Sequence, residues 1–238
     1  MQDQHTVRAF DKDLNYLVTT IAEMGGHAER MIENSVRALT KGDSKLAQAV
    51  IADDKFLDAS QRDVDEKAIM TIARRQPMAI DLREIIGSIR ISNDLERIGD
   101  MGKNIAKRSF AVAESRHPTK LYRSIEALSE LTLTQLKDVL DAYASRSVER
   151  LNQVRDRDDE IDALYTSLFR ELLTYMMEDP RNITACTHLL FCAKNLERVG
   201  DHATNIAETV FYIVTGNQLT ADRPTDDSSH ELKAEKQP

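Results

Sequence analysis

Apolar side chains near the start of the chain fall at Phe10, Leu14, Leu17, Ile21, Met24, Ala28 and Met31. Their steps alternate four and three, the 3.5-residue seam of helices packed with a slight left-handed supercoil. Gly42, then Asp43 and Ser44, interrupt it: a glycine suited to close one helix and an N-cap side chain suited to open the next. The second helix is expected to run to about Arg75. Proline costs about 3 kcal/mol inside a helix but is tolerated in the first turn, so Pro77 opens a third helix, reaching about Ala113.

Pro118 reads as a break between domains, after which the plan repeats. One helix runs from Leu121 to about Ala144. A second, capped by Ser145 or Ser147, reaches about Glu178. A third, opened by Pro180, closes near Gly216. In this last one Cys186, Leu189, Ala193, Leu196, Gly200, Ala203, Ala207, Val210 and Val214 again alternate by three and four. No segment alternates as a strand would. The expected fold is all-α: two homologous antiparallel three-helix bundles, residues 1–115 and 116–217, followed by a disordered tail at 218–238. Whether the halves share one core is left open by this pattern.

Composition narrows the class. The 238 residues are 41% hydrophobic and only 5% aromatic, with 8 Gly, 5 Pro and no Trp, which argues against a sandwich, barrel or propeller. A net charge of −8 disfavours a nucleic-acid partner. No apolar run approaches the roughly 18 residues of a spanning helix, and the polar start MQDQH is unlike a signal peptide. A cytoplasmic protein is expected.

The sequence repeats itself. Residues 94–106 read DLERIGDMGKNIA and residues 195–207 read NLERVGDHATNIA, identical at eight of thirteen positions at an offset of 101. Asp54 and Asp58 match Asp158 and Asp162 at an offset of 104, and Pro77 matches Pro180 at 103. So small a drift fits loop-length differences between two copies of one three-helix unit.

Chemistry concentrates in that repeat. At about 100° per residue, Glu96, Asp100 and Asn104 share one helix face, as do Glu197, Asp201 and Asn205. Like charges at this spacing destabilise an isolated helix by a few tenths of a kcal/mol, so a compensating cation is required nearby. If the second and third helices of each half pack antiparallel, Asp54 with Asp58, and Asp158 with Asp162, converge on these pairs. Four carboxylates and an amide oxygen suit Mg²⁺, Ca²⁺, Mn²⁺ or iron rather than zinc or Cu(I). A salt-bridged interface using Arg97 and Arg198 accounts for the same residues. Gly99, Gly102 and Gly200 lie inside helices at a cost of roughly 1 kcal/mol each, which close helix approach would explain.

Other residues offer less. His202 stands where the first copy has Met101, outside the repeated set, and His5, His27, His117, His188 and His230 form no ligand spacing. The ExxH pairs of di-iron oxidases are missing, since Gly99 and Gly200 follow the glutamates by three. Cys186 falls on the apolar stripe. No nucleophilic triad or glycine-rich phosphate loop emerges, so no catalytic residue is expected and the chain is not read as an enzyme.

NDLERIGDMGKNIA and KNLERVGDHATNIA, each following a QP or DP step, resemble the paired signature of the PhoU family. FDKDLNYLVTTIAEMG and RRQPMAIDLREIIGSIRISNDLERIGD are similar to it as well, so the likeness covers roughly residues 6–216. The resemblance implies two homologous three-helix bundles and metal on E/DxxxD motifs, which map to Glu96 with Asp100 and Glu197 with Asp201. Asp54 with Asp58 and Asp158 with Asp162 match the second acidic motif of each half; Asn104 and Asn205 fall in the NIA segments as further possible ligands. The implied cofactor is a divalent or trivalent metal: Mg, Mn, Fe or Zn. The implied role is negative regulation of the phosphate-starvation response by a cytoplasmic, often dimeric adaptor. Its implied partners are the ATPase subunit of the phosphate ABC transporter and a sensor histidine kinase, with the membrane reached only through them. The alternative is a helical carboxylate metalloprotein with redox or storage activity. One departure stands out: Lys103 and Lys107 are answered by Thr204 and Glu208, making the second site the more acidic.

Overall fold

The computed structural model describes residues 2–113 and 120–218. Within these residues six α-helices carry the fold: α1 (Gln2–Lys41), α2 (Ser44–Arg75), α3 (Ile80–Ala113), α4 (Lys120–Ser145), α5 (Glu149–Glu178) and α6 (Ile183–Thr215). Among the described residues there is no strand. The expected domain break around Pro118, His117, His230 and the expected tail from residue 219 onward lie outside the described residues.

Local signals explain most helix ends. Gly42 takes φ 65°, and the Asp43 amide then reaches back to the Ala38 carbonyl at 3.0 Å, closing α1. The Asp43 carboxylate accepts from the Leu46 amide at 3.0 Å, capping α2. Gly216 closes α6 at φ 75°. Three expectations are corrected. Pro77 does not occupy the first turn of α3: the reversal uses two left-handed residues, Gln76 (φ 49°) and Ala79 (φ 52°), and the helix begins only at Ile80. Pro180 opens a short 3₁₀ turn (Pro180–Asn182) that leads into α6. Neither Ser145 nor Ser147 caps α5. Ser145 still belongs to α4 and donates to the Asp141 carbonyl at 2.6 Å, Arg146 makes the turn at φ 53°, and Val148 is the N-cap residue of α5, with no side-chain cap bond.

The apolar seams face inward as their period requires. Leu17, Ile21, Met24, Ala28 and Met31 are buried, as are Cys186, Leu189, Ala193, Leu196, Ala203, Ala207 and Val210. The core is one continuous cluster running through both halves. α3 packs on α1, α2 and α6, and α6 on α3, α4 and α5, so these two helices form the centre. They run antiparallel. Gly87 of α3 meets Ile213 of α6 at one end, Asp94 pairs with His202 at 2.9 Å in the middle, and Arg108 contacts His188 at 3.3 Å at the other end. Equivalent faces of the two halves are thereby related by an approximate twofold across the helices.

The mid-helix glycines mark close approaches, as expected. A β-carbon on Gly99 would lie 2.3 Å from Leu57 Cδ1, and one on Gly102 3.3 Å from the Met31 backbone. On Gly200 it would lie 3.2 Å from both Ile161 Cδ1 and Gln135 Oε1. Glycine at 99 and 200 lets α3 and α6 sit tightly against the helices that carry the second acidic pair of each half.

Candidate functional site

In the first half α2 supplies Asp54 and Asp58, and α3 supplies Glu96 and Asp100. Asp54 is buried and the other three are half-buried. The packing of α2 on α3 brings these carboxylates to one face, and a lysine stands between them. Lys103, one turn beyond Asp100, places Nζ 2.6 Å from Asp54 Oδ2 and 2.5 Å from Asp100 Oδ1. Burial pulls its pKa down, but the hydrogen bonds to Asp100 and Asp54 outweigh that and hold it well above the usual lysine range. Arg97 stays largely in solvent and reaches only 3.7 Å from Glu96 and 4.0 Å from Asp100. Contacts of that kind contribute little at a surface. Glu96 is shifted upward, chiefly by desolvation, then by Asp100, with Arg97 opposing.

The second half repeats the acids with its lysine placed differently. Asp158 and Asp162 come from α5, Glu197 and Asp201 from α6, and the position equivalent to Lys103 is Thr204, which is buried. The cation of this half, Lys194, lies one turn before the motif instead and pairs with Glu197 at 2.6 Å. Asp162 records the imbalance. Desolvation, then the charges of Asp158, Glu197 and Asp201, push its pKa from the ordinary 3.8 up to about 6, with Lys194 only partly opposing.

A further polar group enters from α4. Gln135 is fully buried, and its Nε2 faces the Val154 carbonyl at 3.0 Å, Asp158 Oδ1 at 3.3 Å and Thr204 Oγ1 at 3.3 Å. Its Oε1 has no hydrogen-bond partner. Asp158 Oδ1 and Gln135 Oε1 flank the same point above Gly200, at 3.5 and 3.2 Å from where a β-carbon would be. A buried amide oxygen left without a donor costs roughly 1–3 kcal/mol.

The Asp162 shift has a measurable consequence. Its folded pKa exceeds the unfolded one, so the folded chain holds the extra proton between pH 3.8 and about 6. The associated stability is complete below 3.8 and is lost as pH rises through 6. A two-unit shift corresponds to about 3 kcal/mol, which solvent screening at a half-exposed group reduces to about 1–2 kcal/mol. Chelator-treated Asp162→Asn protein is therefore expected to melt higher than wild type at pH 7 and to lose part of the wild-type gain on acidification to pH 5. Equal melting temperatures at pH 7 would contradict the assignment.

Among the described residues no three His, Cys, Asp or Glu side chains are gathered as one ion would gather them. The two faces nonetheless differ as hosts for the metal that the family resemblance implies. The second presents hard oxygen donors, including a buried amide oxygen without a donor, and its lysine, Lys194, is nearly half exposed and makes its close ion pair with Glu197 of its own helix, which fits. The first already holds an ammonium between Asp54 and Asp100, which does not. Asn104 and Asn205 are half-buried one turn past the acids, and Arg198 is exposed.

Several other groups have structural roles. Both cysteines are buried, and desolvation raises both thiols, Cys192 to about 12. His202 joins α6 to α3 through Asp94. A cleft of about 310 Å³ lined by Asp11, Leu14, Asn15, Asp81, Glu84 and Arg146, among others, lies apart from both acidic faces. Reading the sequence alone names Arg97 and Arg198 as the compensating charges and misses Lys103 and Lys194 in that role; the signal was their spacing of three residues from Asp100 and Glu197, which faces on a helix. Gln135 carried no local signal, because its importance comes from contacts with α5 and α6.

Two stacked copies of one helical unit, each with a carboxylate face on its inner helix pair, define the class: a duplicated α-helical bundle. The PhoU domain family model matches twice, at residues 21–109 and 125–210, and the two matches drift from 104 apart at their starts to 101 at their ends, as the internal repeat does. The phosphate-specific transport system accessory protein PhoU homolog of Rhizobium meliloti (strain 1021) is 65% identical over 232 residues, covering 98% of each chain. The homolog of the same description from Caulobacter vibrioides (strain NA1000 / CB15N) is 50% identical over 93% of this chain and 96% of its own. The crystal structure of PhoU from Pseudomonas aeruginosa superposes with a TM-score of 0.82 at 36% identity, covering 87% of this chain and 100% of that one. The phosphate transport system regulatory protein PhoU from Streptococcus pneumoniae gives 0.82 at 26% identity, over 89% and 100%. The chain belongs to the PhoU family.

Proposed function

We propose that this protein is a regulatory accessory protein of a phosphate-specific transport system, holding down the phosphate-starvation response while phosphate is ample. It acts as an adaptor rather than an enzyme. In this reading it is cytoplasmic and homodimeric, and it contacts the ATPase subunit of the phosphate ABC transporter and a sensor histidine kinase. The observation that carries the reading is the family match in both halves, together with relatives bearing that accessory role in their names at up to 65% identity over nearly the whole chain. The absence of any helix, among the described residues, long and apolar enough to cross a membrane is compatible with an adaptor that reaches the membrane through partners.

Metal belongs to this proposal at the second face. Asp158, Asp162, Glu197 and Asp201 would hold it, with Asn205 one turn along. Bound there, a hard cation would supply positive charge and leave coordination positions for an oxygen donor on a partner. The chain's own contribution is to hold α5 against α6 at Gly200, so that both acidic pairs stay on one face. Gln135 orients Asp158 from behind.

Deleting the coding sequence tests the regulatory role. The deletion strain is expected to express alkaline phosphatase and other phosphate-scavenging activities in phosphate-rich medium, and the wild-type chain supplied in trans to restore repression. Normal repression in the deletion strain would defeat the proposal.

A further inference from the structure

We infer that Lys103 serves this chain as a tethered cation in place of a metal ion at the first carboxylate face, so that the two faces are chemically unequal and only the second is open to metal. The inference rests on the metal reading of the second face only for its comparison arm.

The geometry supplies the argument. The Lys103 ammonium bridges α2 to α3 through Asp54 at 2.6 Å and Asp100 at 2.5 Å, the cross-helix connection a bound ion would otherwise make. The side chain is about four-fifths buried, so the contact is poorly screened. A metal ion entering between these acids must expel a charged group that already makes two charge-assisted hydrogen bonds, or bind beside it against like-charge repulsion. Breaking two such bonds weakens binding at the first face by at least about 100-fold relative to a face without the lysine.

The repeat provides the internal control. The backbone position of Lys103 is taken in the second half by Thr204, whose short buried side chain reaches no carboxylate and instead accepts from Gln135. Lys194 holds its face less firmly than Lys103 does: its close ion pair is with Glu197 of its own helix, its charge acts on Asp162 and Asp201 without a bond of that kind being formed to α5 acids, and it remains nearly half exposed. The unpartnered Gln135 Oε1 lies at this second face. Four acids recur in each half, yet in the first one ammonium joins acids of two helices, while in the second Lys194 makes its close pair within its own helix. Helices α2 and α3 are therefore pinned whatever the metal supply, and a change in metal concentration acts on α5 and α6 alone.

The test uses the full chain, stripped with chelator and titrated with Mn²⁺, read by calorimetry and by elemental analysis after desalting. Wild type is expected to bind about one Mn²⁺ per chain, linked to folding stability through a higher melting temperature. Glu96→Gln with Asp100→Asn should leave that count unchanged, and Glu197→Gln with Asp201→Asn should abolish it. Lys103→Thr, which copies the second half, should gain a second Mn²⁺, lost again when Glu96→Gln and Asp100→Asn are added. Lys103→Gln serves the same purpose should the shorter side chain impair folding. Conversely, Thr204→Lys should remove the wild-type ion.

Two ions on wild type, one of them lost with Glu96→Gln and Asp100→Asn, would overturn the inference. So would a Lys103 variant that folds and gains nothing. If wild type takes up no Mn²⁺ at all, the metal reading of the second face fails by itself. The Lys103 variants then decide the tethered-cation claim: a newly gained ion supports it and none overturns it.

Discussion

Leu57→Ala is expected to lower the melting temperature by roughly 6–12 °C, and adding Gly99→Ala is expected to return part of that loss. Leu57 is fully buried, and its Cδ1 fills the space a β-carbon on Gly99 would need, 2.3 Å away. Removing the leucine leaves a cavity at a typical cost of about 3 kcal/mol, and a chain of this size loses about 2–4 °C for each. Gly99→Ala alone overpacks the same contact at about 1–3 kcal/mol, against a helix-propensity gain of about 1 kcal/mol. In the double variant the new methyl occupies the vacated space and the propensity gain survives. The two changes should therefore couple favourably by about 1–2 kcal/mol. Urea denaturation of all four proteins measures this. Strict additivity would mean that α2 and α3 do not interlock here, and the convergence of Asp54 and Asp58 on Glu96 and Asp100 would lose its structural support.

Arg146→Ala should be the most damaging change at an exposed position. Glu84 of α3 is almost wholly buried, with Tyr143 donating to Oε1 at 3.3 Å and Arg146 Nη1 lying 2.8 Å from Oε2. Tyr143 lies in the last turn of α4 and Arg146 just beyond it, so this contact joins the two halves. Arg146 itself is half exposed, and losing its pairing alone would matter little. Stranding a buried carboxylate matters more, about 2 kcal/mol or some 4–8 °C in melting temperature. Two controls separate charge from backbone. Arg146 adopts φ 53°, so Arg146→Gly removes the same charge while relieving left-handed strain, and should exceed Arg146→Ala by roughly 0.5–1 kcal/mol. Glu84→Met in the Arg146→Ala background should recover most of the loss, because the buried charge is then absent. Failure of that rescue would assign the effect to something other than the stranded carboxylate.

Helix ends show where local sequence suffices. α2 stops at Arg75 and α5 at Glu178, as periodicity and breakers indicate, because each stop depends on residues within one or two turns. The start of α5 was misread for a related reason. Ser145 has good capping chemistry, but the chain stays helical through it and turns at Arg146, where the Glu84 contact lies on another helix. The glycines were legible as close approaches, although the partners they approach were not.

Sequence by itself determined the helical class, the duplication and which acids share a helix face, since 3.6-residue periodicity and an offset of 101 are properties of the string. Only the tertiary structure decided which charges meet. Lys103 faces Asp100 three residues away, but Asp54, which completes its bridge, is 49 positions distant. Gln135 acquires its place beside Asp158 and Thr204 from the packing of three helices. Electrostatic energy falls with distance and with exposure to water, and both are set by how the helices pack.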